Sequence, residues 1–158
     1  VFLMEKIRSF QVDHRKLDRG MYISRIDGDV VTYDLRFKRP NTGDVLDDVT
    51  VHTIEHMLAT YTRNSGIADE VVYFGPMGCR TGFYFLVRDT VSPERAKEEI
   101  VSAIKQTLEY EGPVFGASEI ECGNYRELDL ESAKAALREY LPAAENAVIM
   151  NYDEVNAL

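Results

Sequence analysis

The chain reads as an α+β domain: an antiparallel or mixed β-sheet with helices packed on one face, an α/β sandwich. Three observations predict this. Alternating segments flank an Asp27-Gly28 turn, which favours a hairpin. Three segments carry apolar residues at helical spacing. The order along the chain is strands, helix, strands, helix, helix. With no repeat, linker or low-complexity stretch, residues 1–158 are expected to form one domain, long enough to bury a real core.

Val1-Phe2-Leu3-Met4 is a short apolar start followed at once by Glu5 and Lys6, so no signal peptide is expected and translation is expected to begin at Met4. Residues 5–18 are polar and irregular. Met21 to Ile26 forms a strand, and Asp27-Gly28 turns it back. From Asp29 to Phe37 the chain alternates, with Val31, Tyr33, Leu35 and Phe37 on a buried side and Thr32, Asp34 and Arg36 on a polar, solvated one. Pro40-Asn41-Thr42-Gly43 is a loop. A helix of about four turns follows. Asp47, Asp48 and Thr50 supply its start, Ile54, Met57, Leu58 and Tyr61 its buried stripe, and Ser65-Gly66 its stop.

Glu70 to Phe74 reads as a short strand, and the run from Gly75 to Cys79 as a glycine-rich turn. Thr81 to Arg88 is apolar on both faces and therefore central. Ser92 caps a second helix with Pro93 at its first position and Ala96, Ile100, Ile104 and Leu108 inward; Gly112-Pro113 ends it. Glu119 to Tyr125 is a loop or short strand. Asp129 caps a third helix with Leu130, Ala133, Leu137 and Leu141 inward, ending at Pro142. The last sixteen residues carry no strong signal and read as a docked short helix or a frayed tail.

The net charge of -9 argues against nucleic acid, which requires a basic patch. No apolar run approaches a membrane span, and a cytoplasmic protein is expected. In a reducing compartment the two cysteines, Cys79 and Cys122, point to chemistry or metal binding more than to a disulfide.

Two of the three histidines stand at His52 and His56, one helical turn apart on one face, and Glu55 projects close to the same face. This is the inverted zinc motif H-x-x-E-H, in which the imidazoles ligate and the carboxylate stays free to move protons. A catalytic site needs a third protein ligand. Cys122, followed by Gly123, is one candidate; a buried structural cysteine is the alternative, and Glu121 is the fallback ligand. Cys79, beside Arg80, is placed where a thiolate is favoured, or is a small hydrophobe entering a strand. Taken singly, His14 reads as a surface or hydrogen-bonded histidine, Arg36 as a solvated strand residue, and Ser9 carries no assignment.

Taken together, these segments resemble the S-ribosylhomocysteine lyase family, the LuxS family that makes the autoinducer-2 precursor. The matching pieces are Ser9-Phe10 with Asp13-His14, Tyr33-Asp34-Leu35-Arg36-Phe37 with Pro40-Asn41, His52-Thr53-Ile54-Glu55-His56, the stretch from Pro76 to Tyr84, and Glu121-Cys122-Gly123-Asn124-Tyr125. The resemblance implies one divalent metal per subunit on His52, His56 and Cys122, natively Fe(II) and often zinc when isolated. It implies Cys79 and Glu55 as the general acid/base pair, and Ser9, His14 and Arg36 in the substrate pocket. It also implies a homodimer with two identical sites at the subunit interface. The implied reaction cleaves S-ribosylhomocysteine by two carbonyl shifts and β-elimination.

The chain departs from the family pattern at Tyr73-Phe74-Gly75, where most members carry Asp-x-Ser, and at Arg19-Gly20-Met21-Tyr22-Ile23, where they carry Ala-Pro-Tyr-Val-Arg. Altered recognition of the amino-acid end of the substrate is the expected consequence. The alternatives are an inverted-motif metallopeptidase and a non-catalytic metal-binding relative.

Overall fold

Gly28 takes φ +59°, the left-handed conformation that glycine adopts without steric cost, and the chain turns back there as expected. In the computed structural model, which describes residues 3–158, this turn joins β1 (Gly20–Asp27) to β2 (Val30–Arg36) in antiparallel register. A bulge falls between Ile23 and Arg25. Val1 and Phe2 of the apolar start lie outside the described residues.

A second hairpin pairs β3 (Val71–Pro76) with β4 (Gly82–Arg88), and β4 pairs with β2. β4 is therefore internal, as its two apolar faces predict. A fifth strand, β5 (Met150–Asn151), runs parallel to β1, giving a mixed sheet of order β3-β4-β2-β1-β5. Three long helices, α1 (Asp48–Arg63), α2 (Pro93–Glu109) and α3 (Leu130–Glu145), bury their apolar stripes against one sheet face. That core joins Tyr33, Leu35, Phe83 and Phe85 of the sheet to Ile54, Leu58, Ile100, Ile104, Ala133 and Leu137 of the helices. Asp47 caps α1 by accepting from Thr50 N at 2.8 Å, and Ser92 caps α2 by accepting from Arg95 N at 3.1 Å.

Three local expectations are corrected, and of the two readings of the chain end the docked short helix holds. β3 starts at Val71, after a 3-10 turn over Ala68–Glu70, and continues to Pro76, so Gly75 belongs to the strand and the turn spans 77–81. α3 runs through Pro142 to Glu145. The proline removes one hydrogen bond near the helix end, where the Arg138 carbonyl belongs to an exposed residue, and the Pro142 carbonyl accepts from the Asn146 backbone and side chain. Tyr140 and Ala144 are buried there in addition to Leu137, while Leu141 is only half-buried. The chain end forms β5 and a short helix, α4 (Tyr152–Asn156), closed by a capping box between Asn151 and Glu154.

The polar side of β2 is also not solvated. Thr32, Asp34 and Arg36 are buried, and Tyr152 of α4 reaches that side of the sheet to bond Asp34. A smaller cluster of Val12, Leu17, Tyr22, Tyr152 and Val155 packs there.

Candidate metal centre

Helical spacing places His52 and His56 on one side of α1, with ring centroids 4.6 Å apart. Each imidazole is oriented from behind. His52 Nδ1 lies 2.9 Å from the Glu127 carbonyl and His56 Nδ1 lies 2.7 Å from the Phe115 carbonyl. A carbonyl only accepts, so both rings carry the proton on Nδ1 and keep the Nε2 lone pair free for a metal. The two carbonyls belong to the irregular segment between α2 and α3, which also carries Cys122. Asp129 N donates to Thr53 Oγ1 at 2.9 Å and fastens the end of that segment to α1.

Cys122 Sγ lies 3.4 Å from His52 Nε2, and the donor atoms of His52, His56 and Cys122 fall within 4.8 Å of one another. Ligand bonds of 2.0–2.3 Å in a tetrahedral site imply donor separations of about 3.3–3.8 Å; the Cys122–His52 pair lies in that range, and the three residues are close enough that they could hold one ion. Two imidazoles and a soft thiolate suit a first-row transition metal. Glu121, the fallback ligand, is exposed and accepts from Ser118 Oγ at 2.6 Å. Glu55 is half-buried between the two histidines in sequence. Gly116 is confined to its role: its φ is +72°, and a Cβ there would sit 3.1 Å from His56 Nδ1.

Cys79 stands in the 77–81 turn. Met77 is buried beneath it, and Met77 N and Arg80 N make the turn's hydrogen bonds to Gly82 and Met77 carbonyls. Arg80 adopts φ +61°, a strained conformation for a long side chain, and its carbonyl accepts from Leu46 N. Its guanidinium lies 4.0 Å from the Asp48 carboxylate, so the turn rests against the first turn of α1, ahead of His52. Both cysteines are free.

Cys79 opens on a cavity of about 310 Å³ shared with His14, Arg36, Asn41 and Thr81. Arg36 enters it from a buried position, paired with a fully buried Asp34. Burial works against the Arg36 charge, but the Asp34 carboxylate more than offsets this and the guanidinium is held firmly protonated. His14 is fixed by a hydrogen bond between Nδ1 and the Val12 carbonyl at 3.0 Å. Ser9 lies elsewhere: it lines a separate cleft of about 350 Å³ with Arg8, Arg25, Tyr73 and Tyr84.

The structure thus brings together His52, His56 and Cys122 in one group and Cys79, His14 and Arg36 in another. Sequence reasoning missed Asp34, Thr81 and Tyr152, which surround Arg36. Asp34 and Arg36 two apart on one strand face offered a signal for the pair; nothing local marked Tyr152.

Comparison with known proteins gives a consistent result. The profile of the S-Ribosylhomocysteinase (LuxS) family matches residues 7–151. The S-ribosylhomocysteine lyase of Borreliella afzelii is 41% identical over 148 residues, covering 90% of this chain and 94% of the relative. That of Finegoldia magna is 44% identical over 151 residues, with 90% and 94% covered. That of Clostridium beijerinckii is 40% identical over 158 residues, covering 97% of each chain.

Proposed function

The chain belongs to the S-ribosylhomocysteinase (LuxS) family, and we propose that the two groups of residues described above carry that family's reaction in it. The protein is a carbon–sulfur lyase that cleaves S-ribosyl-L-homocysteine to L-homocysteine and 4,5-dihydroxy-2,3-pentanedione, the autoinducer-2 precursor. We assign it as one lyase domain over residues 1–158. The convergence of His52, His56 and Cys122 on one point is the observation that carries the residue assignment.

His52, His56 and Cys122 would hold one divalent ion per subunit, Fe(II) natively or Zn(II), which when bound supplies Lewis acidity toward the sugar oxygens. The protein's own work is proton transfer. Moving a carbonyl along the ribose from C1 to C2 and then to C3 requires a proton taken from the carbon beside the carbonyl and another returned to its neighbour. Cys79 as thiolate and Glu55 as carboxylate are the groups suited to these transfers. With the ketone at C3, loss of the C4 proton to one of the bases breaks the C5–sulfur bond, and the homocysteine sulfur leaves with the electron pair and takes up a proton. No redox cofactor enters.

Arg36 and His14 border the Cys79 cavity, where the guanidinium is an obligate donor to substrate oxygens. Ser9 completes the substrate set from its own cleft. We place two such sites at the interface of a homodimer; the exposed apolar side chains of Ile7, Phe10 and Ile26, with Tyr73, support such a contact. Among the described residues no helix is long and apolar enough to cross a membrane; we assign the enzyme to the cytoplasm.

Tyr73 and Gly75 are expected to change how the amino-acid end of the substrate is held. Equal kcat/KM before and after Tyr73→Asp with Gly75→Ser would remove that expectation.

The deciding assay mixes metal-loaded protein with S-ribosylhomocysteine and a thiol reagent. Homocysteine release is expected, together with loss of both metal and release in Cys122→Ala. Metal retained in that variant with peptidase activity would favour the inverted-motif peptidase, in which Cys122 has no role.

A further inference from the structure

A hydrogen-bond chain runs from the chain terminus to the reactive sulfur. Tyr152 Oη donates to Asp34 Oδ2 at 2.7 Å. Asp34 accepts from Arg36 Nε at 3.1 Å and from Arg36 Nη2. Arg36 Nη1 donates to Thr81 Oγ1 at 2.9 Å, and Thr81 Oγ1 lies 3.0 Å from Cys79 Sγ. Asp34 and Tyr152 are fully buried, Arg36 is 2% exposed and Thr81 5% exposed, while Cys79 opens to the cavity. The chain therefore passes from dry interior to substrate space.

The direction of its last bond follows from donor chemistry. A guanidinium has no acceptor, so Thr81 must accept from Arg36. A hydroxyl has one hydrogen. Its oxygen is engaged by Arg36 and its hydrogen is free, and a thiolate at Cys79 carries no hydrogen of its own, so toward that form Thr81 donates and the sulfur accepts. An anionic sulfur gains more from such a bond than a neutral thiol does.

We infer that Thr81 is a positioning residue for Cys79, donating a hydrogen bond that fixes the sulfur as an acceptor facing the cavity, and that Tyr152 of α4 anchors the far end of the same chain through Asp34 and Arg36. This rests on Cys79 being an acid/base of the lyase reaction. The other charged or titratable groups around the turn are His14, Arg80, Asp48 and Tyr84, and none of them replaces the Thr81 hydroxyl in contact with the sulfur.

The test compares Thr81→Val, Thr81→Ser and Tyr152→Phe with the unaltered metal-loaded enzyme. Site-resolved alkylation of Cys79 by iodoacetamide, read by peptide mass spectrometry at neutral pH, needs no substrate and is independent of turnover. Thr81→Val is expected to change it roughly threefold or more, because the sulfur loses the hydrogen-bond donor that it faces. It is also expected to lower kcat about tenfold with KM nearly unchanged. Thr81→Ser keeps the hydroxyl and is expected to restore both. Tyr152→Phe is expected to shift both in the same direction by less.

Equal alkylation in Thr81→Val and the unaltered enzyme overturns the inference, as does equal loss in Thr81→Val and Thr81→Ser, which would mark packing instead of the hydroxyl. Full turnover by Cys79→Ala would instead overturn the acid/base assignment itself, so the two failures are distinguishable.

Discussion

Arg36 and Asp34 carry charge in a place the sheet and α4 close to water. Arg36→Met would leave the Asp34 carboxylate buried with Tyr152 as its remaining side-chain donor, and an uncompensated buried charge costs about 3–5 kcal/mol. Urea unfolding of the variant is expected to show a loss of that size. Tyr73 and Gly75 behave as one unit. The Tyr73 ring lies across Gly75, so a Cβ at 75 would fall 1.9 Å from the Tyr73 hydroxyl oxygen. Tyr73 is half exposed and can swing aside, so Gly75→Ala is expected to cost about 1 kcal/mol, and nothing further in a Tyr73→Ala background. A denaturation-based double-mutant cycle measures this. The same coupling requires that a test of the departure at Tyr73 and Gly75 change both positions together.

At the scale of elements, α1 is the rigid bar on which both imidazoles are mounted, and its cap is a side chain. Asp47→Ala is expected to lower stability by about 1 kcal/mol, read as a shifted urea midpoint. α4 acts at longer range. Asn156 Oδ1 accepts from Asp13 N at 2.7 Å, and its Nδ2 donates to the Gln11 carbonyl at 2.9 Å. Five residues at the chain end thus clasp the segment that presents His14. Loosening it with Asn156→Ala removes both bonds and is expected to raise KM about fivefold while kcat changes little, since the segment that presents His14 is held less firmly. Steady-state kinetics on S-ribosylhomocysteine separates the two constants.

For the whole molecule, the segment between α2 and α3 is tied to α1 through the Phe115 and Glu127 carbonyls, Asp129 N and the Cys122 sulfur. An ion binding only the folded arrangement stabilises it by mass action. Chelation is expected to lower the melting temperature and speed hydrogen exchange between Phe115 and Glu127. The tyrosines set the alkaline limit. Burial raises the Tyr33 phenol to about 12 and pushes Tyr140 and Tyr152 up further. A raised folded value means the native state binds more protons above the ordinary phenol value of 10.0, so stability is retained below it and lost as pH rises beyond. The melting temperature is therefore expected to fall above about pH 10, with tyrosinate absorbance appearing alongside unfolding.

The alternation of β2, the Asp27-Gly28 turn, the helical stripes and the H-x-x-E-H face were legible in the amino-acid order because each depends on neighbours within a few residues. These features determined the α+β class and the paired imidazoles. Whether Cys122 or Glu121 meets those imidazoles was decided only in three dimensions, since Cys122 and His52 are 70 residues apart. The burial of Arg36 was decided there too, where a tyrosine 118 residues from its carboxylate partner reaches the same side of the sheet. Local periodicity reports which side of a strand is polar; it carries no record of what the far end of the chain will lay over that side.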